Sequence, residues 1–228
     1  MKRIIRTVTG LMMSFVMLIS MNTPIFAADL RPDFSLYVNR ALDCVTVKLV
    51  NPDGTETPVK SMVCSTGRAG HVTPLGVFKT SDYYDWRLMV DGTYGRYAVR
   101  FNRGIMFHSV PYFSRNEGNL EYDQYNLLGQ KASLGCVRLA VADAKWIYDN
   151  CKKGTRVIVY DDFTSPGELS KPMPITIDPT SPCRGWDPTD VNPLNPWLLG
   201  LTPQQAEGAP AAESQPEGAP VTEPQPVM

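Results

Sequence analysis

From Phe34 to Asp161 the apolar positions recur in short runs at a period close to two, broken by turn residues, and not at helical spacing. "SLYVNRALDCVTVKLV" is dense in β-branched and aromatic residues, and "NPDGTET" supplies an Asp53-Gly54 turn before "PVKSMVCSTG", which together predict a hairpin. "GVFKTS", "RLMVDG", "RYAVRFN" and "GIMFHSV" continue the pattern, each bounded by Gly, Asp or Asn, and "VRLAV" and "TRVIVYDD" add further strands. "ADAKWIYDNCKK" alone has a helical period, with Ala144, Ile147, Tyr148 and Cys151 on one face and Gly154 as a stop. The predicted fold class is mainly β: a sandwich-like or partly closed sheet with one short helix, followed by a Pro-rich C-terminal extension.

The two ends read differently. Lys2, Arg3 and Arg6 precede an apolar run from Leu11 to Met21 and then "TPIFAAD", so residues 1–27 are expected to be a secretory signal with small residues for cleavage at Ala27 and Ala28. Membrane contact is expected only through that segment if it stays uncleaved, and the rest is expected outside the cytoplasm, secreted or associated with a bacterial cell wall. Residues 34–161 form the predicted domain. Residues 162–203 are a Pro-rich extension expected to pack on a surface. Residues 204–228 hold the near-repeat "EGAPAAESQP" and "EGAPVTEPQP", too poor in apolar groups to offset chain entropy, and are expected to be disordered.

A formal net charge of −1 gives no basic footprint for nucleic acid. The five cysteines change the picture more, because an odd number in an exported chain leaves at least one thiol without an internal partner. Cys44 and Cys64 flank the Asp53-Gly54 turn at similar distances and are candidates for one bridge; Cys151 and Cys183 are candidates for a second that staples the extension to the domain. Cys136, in "KASLGCVRLAVADAKWIYDNC", is then the odd thiol.

A thiol needs a base or a positive environment to act as a nucleophile. His108 closes the apolar strand "GIMFHSV"; His71 sits in the loop "GRAGHVTP" and reads as a solvated loop residue. Neither Cys-x-x-Cys nor His-x-x-x-His spacing occurs, so a zinc site would have to be assembled from His71, His108 and Cys136, and no metal or other cofactor is expected. No Gly-x-Ser-x-Gly elbow points to a serine hydrolase.

Four ordered segments, "STG" with "TPLGVFK", then "HSV", "ASLGCVRL" and "DAKWIYDNCKKGTRVIVY", resemble the L,D-transpeptidase catalytic domain, the YkuD-type fold, from roughly Phe34 to Tyr160. The resemblance implies a β-sandwich-like domain in which Cys136 is the nucleophile and His108 the base. It also implies that the Ser109 carbonyl accepts the second imidazole proton. The implied partners are peptidoglycan stem peptides, a tetrapeptide donor and a diamino-acid acceptor joined in a 3→3 crosslink with release of D-Ala, and carbapenem-type β-lactams as covalent inhibitors. Gly135 and Cys136 would supply the oxyanion hole, Ser133 would shape the loop, and Arg138 would hold a substrate carboxylate or serve as a structural ion pair. Leu134 stands where many members carry a histidine, which bears on acceptor binding. The insertion "PYFSRNEGNLEYDQYN" is expected to act as a lid. An L,D-carboxypeptidase or endopeptidase on the same scaffold and a non-catalytic wall-binding protein are the competing readings.

Overall fold

The computed structural model of the protein describes residues 31–200; the expected signal at 1–27 and the tail at 204–228 lie outside the described residues. The stretch read as one extended run folds as two strands, β1 (Phe34–Asn39) and β2 (Cys44–Val50), because Asp43 takes a φ of +50°, a left-handed turn position that short polar side chains tolerate. The chain continues through β3 (Glu56–Ser65), β4 (Gly76–Lys79), β5 (Tyr83–Leu88), β6 (Tyr94–Asn102) and β7 (Ile105–Ser109). Next come the single-turn helix α1 (Tyr122–Tyr125), β8 (Val137–Leu139), α2 (Val141–Asn150), β9 (Arg156–Tyr160) and a second single turn, α3 (Pro196–Leu199). The fold is mainly β, with α2 as the helix that the periodicity predicts and the two single turns as additions.

Nine strands form one curled sheet in the order β4-β9-β1-β2-β3-β8-β7-β6-β5. β1 with β9 and β7 with β8 run parallel, and every other pair is antiparallel. The curl turns on β3, whose body pairs with β2 and whose last two residues pair with β8 as Cys64↔Leu139 and Ser65↔Arg138. The two flanks close on each other where the Phe78 and Phe101 rings lie 5.8 Å apart. Inside the curl, Leu36, Val45, Met62, Val99, Phe107, Val137, Leu139 and Val157 pack with Ala144 and Ile147 of α2 and with Cys151 just past its end.

A second core accounts for the insertion. Tyr112, Leu120, Tyr125 and Leu128 are buried with Val110, Val141 and Ile177, so Tyr112 and Tyr125 anchor the insertion in this core while Phe113 is exposed, and of residues 111–126 only Pro111 lines the cleft, which is not the expected lid. The extension supplies Ile177 to this core and is pinned by polar contacts. Asn126 exchanges two hydrogen bonds with the Ile177 backbone at 2.9 and 2.8 Å. The buried Asp187 carboxylate accepts the Val141 N–H at 2.8 Å, satisfying a first-turn donor of α2. Asp190 pairs with Arg96 at 3.0 Å.

The expected disulfides are absent, and all five cysteines are free. Cys44 lies opposite Val63, so Cys64 is one residue out of register and projects to the other face of the sheet. Cys64 and Cys151 belong to the first core, whereas the Cys183 carbonyl, in the extension, accepts a hydrogen bond from Trp197 Nε1 at 3.1 Å beside the second. Denatured without reductant, the protein is expected to titrate with five thiols; a count of three or one would restore the bridges.

Candidate active site

The parallel β7–β8 pair sets the site. Its register is Phe107↔Val137, His108↔Arg138 and Ser109↔Leu139. Phe107, Val137 and Leu139 face the core. By the period-two alternation Met106 and His108 face the other way, together with Cys136 and Arg138. All four line a cavity of about 310 Å³ with Gly104, Ile105, Pro111, Ser133 and Leu134; its remaining wall is Arg87 to Asp91 and Arg100 from the β5–β6 hairpin.

His108 is buried, and its Nδ1 lies 2.6 Å from the Ser109 carbonyl oxygen. A carbonyl can only accept, so Nδ1 carries the proton and the neutral ring presents its lone pair at Nε2. Burial, and then the charge of Arg138, push the His108 pKa down to about 4, against smaller upward pulls from the Ser109 hydrogen bond and Asp91. The imidazole is therefore neutral at pH 7. The Ser109 hydroxyl braces the same corner, accepting from Arg96 N at 2.9 Å and donating to the Val110 carbonyl at 2.8 Å.

Cys136 is half-buried, and its thiol points at the Gly104 carbonyl, 3.8 Å away. Burial raises its pKa, opposed by a backbone hydrogen bond from Met106 and by the Arg138 charge. Thiol and imidazole, both lining the cavity, are thus each neutral at rest. The turn before the sulfur is tightly built. Ser133 Oγ donates to the Cys136 carbonyl at 2.6 Å and accepts the Gly135 N–H at 3.0 Å, while Thr73 Oγ1 donates to the Gly135 carbonyl at 2.9 Å. Gly135 has a φ of +116°, and a Cβ there would sit 3.0 Å from Ile105 Cδ1, so only glycine fits.

Arg138 is buried; it donates to Gln124 Oε1 at 2.8 Å, stands 3.9 Å from Asp91, and its Nε has no partner. His71 is exposed and contributes its backbone, not its ring, beside Gly135. Among the described residues no three His, Cys, Asp or Glu side chains gather as a metal site, so His71, His108 and Cys136 are not brought together as ligands.

Sequence reasoning missed the β5–β6 wall. The most informative residue there is Gly95, where a Cβ would lie 2.7 Å from His108 Nδ1 and 2.3 Å from Met89 Cε. Its absent side chain makes room for the imidazole. A glycine inside a strand pattern is a sign of such close approach, and "YGRYAV" carried that sign.

Two outcomes follow for this geometry. Gly95→Ala is expected to displace the His108 ring and lower turnover by about a hundredfold or more, the scale of a misplaced catalytic group, with the melting temperature lowered by only a few degrees, as for overpacking of about 1–3 kcal/mol; activity close to wild type would show that the ring does not depend on this gap. Alkylation of Cys136 by iodoacetamide is expected to rise with pH past the range of an ordinary thiol, since burial raises its pKa. A rate plateau extending below pH 7 would mean a resting thiolate–imidazolium pair and contradict the neutral assignment.

A family model described as the L,D-transpeptidase catalytic domain, YkuD, matches residues 43–159. The protein YciB of Bacillus subtilis (strain 168), provisionally named an L,D-transpeptidase, is 41% identical over 55 residues, 24% of this chain and 27% of that one. The chain thus matches about a quarter of the length of this curated relative. An L,D-transpeptidase structure from Mycobacterium tuberculosis H37Rv is 26% identical over 57% of this chain and 58% of that one, with a TM-score of 0.45. L,D-transpeptidase 3 from Mycobacterium tuberculosis, solved in complex with a faropenem-derived adduct, is 25% identical over 57% and 61% of the two chains, with a TM-score of 0.45. The family match takes in more than half of the 228 residues and every residue of the cleft, and the chain belongs to the L,D-transpeptidase catalytic-domain family.

Proposed function

We propose that the protein is an exported peptidoglycan L,D-transpeptidase that forms 3→3 crosslinks through a thioester on Cys136. The observation that carries this reading is the hydrogen bond from His108 Nδ1 to the Ser109 carbonyl at 2.6 Å, which leaves Nε2 as a base in the same cavity as a half-buried thiol. In the first half-reaction His108 Nε2 takes the thiol proton as sulfur attacks the carbonyl of the third residue of a tetrapeptide stem. The developing oxyanion falls to the Cys136 N–H, because the Gly135 N–H is already committed to Ser133 Oγ. Collapse expels D-Ala, whose nitrogen recovers the proton from the imidazolium. In the second half-reaction His108 deprotonates the side-chain amine of an acceptor stem, which attacks the thioester and regenerates the thiol.

The division of roles follows the electrostatics. Burial disfavours both a resting thiolate and a resting imidazolium, so the nearby Arg138 guanidinium acts chiefly on charge that appears in the transition state. Arg138 is our candidate to hold a substrate carboxylate as well, through its unpartnered Nε. Leu134 lines the cavity with an apolar side chain where an imidazole would offer a hydrogen bond, so orientation of the acceptor amine falls to other groups. Export is assigned to residues 1–27, and the site of action to the cell wall. Carbapenems, whose strained lactam carbonyl acylates a thiol, are proposed inhibitors.

Incubation with a disaccharide tetrapeptide is expected to yield a dimer one D-Ala lighter than two donors. Cys136→Ala is expected to abolish it, a loss of roughly a thousandfold or more. Tripeptide without dimer would assign the carboxypeptidase activity instead. An unchanged donor, with intact sacculi still bound, would assign a wall-binding protein.

A further inference from the structure

The β5–β6 hairpin brings to the cleft a guanidinium whose N–H donors are engaged by no described residue. Arg87, Arg100 and Arg138 line the cavity against a single carboxylate, Asp91. Arg100 is held by Asp82 at 3.1 Å, by the Tyr84 hydroxyl at 3.1 Å and by the Arg103 carbonyl. Arg138 is held by Gln124 and faces Asp91. Arg87 has neither a hydrogen bond nor an ion pair among the described residues; its guanidinium carbon rests 5.0 Å from the centre of the Tyr84 ring.

Strand register fixes where Arg87 projects. It lies directly across from Gly95, and opposed residues of an antiparallel pair share a face of the sheet. That face is the one on which a Gly95 Cβ would meet His108 Nδ1 at 2.7 Å. Between the Tyr84↔Ala98 and Trp86↔Arg96 pairs the ladder is interrupted at Tyr97, whose φ is +51°. The stacking of Arg87 on Tyr84, three residues away, spans this interruption. Arg87 is partly buried in the same cavity as His108, in a wall it shares with Leu88, Met89, Val90, Asp91 and Arg100.

A guanidinium so placed has its donors unused and its plane held by an aromatic ring. Its complement is a carboxylate, which can take two parallel charge-assisted hydrogen bonds, strengthened by the apolar surround. We infer that Arg87 is a specificity-determining residue that selects donor peptides carrying a free carboxylate close to the bond that is broken. This rests on the transpeptidase reading of the same cleft. Two groups on a tetrapeptide stem have this chemistry: the terminal carboxylate of the leaving residue, and the side-chain carboxylate of a diamino acid at position three.

Equilibrium binding tests the assignment without turnover. The tetrapeptide is titrated into the full chain carrying Cys136→Ala in three forms: free acid, C-terminal amide, and amidated on the diamino-acid carboxylate. One amide is expected to bind about ten- to a hundredfold more weakly than the free acid, and its identity names the carboxylate. Adding Arg87→Gln is expected to weaken the free acid by that same factor and leave the amide unchanged, so that their ratio falls to near one. Arg87→Lys, which keeps the charge without the fork, is expected to restore part of it. Ratios that stay the same in Arg87→Gln would overturn the inference while leaving the proposed reaction standing. Failure of every stem peptide to bind the Cys136→Ala protein would overturn the proposed reaction, and Arg87 selection with it.

Discussion

The cleft depends on the parallel pairing of β7 with β8. A parallel pair requires a crossover, and here the connection from Ser109 to Val137 is the insertion that builds the second core. Two consequences come from one register. Phe107, Val137 and Leu139 are sealed into the first core, which holds the strands rigidly, and the alternate residues His108 and Arg138 are turned out into the cavity beside Cys136. A slip of one residue would turn His108 into the first core and Phe107 out into the cavity.

Given that frame, the electrostatics follow from burial. The site keeps both reacting groups neutral at rest, in contrast to cysteine sites whose thiolate is stabilised before substrate arrives. In the proposed reaction charge appears only as the thiol proton moves, in a cavity whose walls are largely apolar and which Arg138 also lines. Little reorganisation is needed at that moment, which is the condition under which fixed dipoles and charges are most effective. The Ser109 carbonyl does a narrower job, fixing the tautomer so that the basic nitrogen is Nε2.

Much of this was legible in the sequence, for identifiable reasons. The Asp53-Gly54 turn, the α2 periodicity and the strands carrying His108 and Tyr160 are local signals, and each appears in the structure, with β7 running one residue past His108. Cys136 and His108 could be singled out as candidates because cysteine and histidine are rare residue types, and the structure places both in one cavity. The Cys44–Cys64 bridge failed because counting residues from a turn cannot see the register shift between Val47 and Lys48. The lid failed because aromatic content does not say which core the rings enter, and Tyr112 and Tyr125 entered one that the extension helps to close. Gly95 became meaningful only once the fold put it against the imidazole, and Arg87 only once cross-strand register set it opposite Gly95. Asp187 and Asp190 were likewise invisible, since their partners, the Val141 N–H and Arg96, lie far away in the chain.

The central claim is that Cys136 carries the acyl group between two neutral half-reactions. It is tested most directly by mixing the protein with a tetrapeptide donor in the absence of any acceptor, quenching in acid within the first turnovers and reading the intact mass. The account predicts a protein heavier by the donor less D-Ala, with the adduct mapping to the peptide that contains Cys136 and discharged by hydroxylamine. An unmodified protein alongside consumed donor, or an adduct on any other residue, would contradict it.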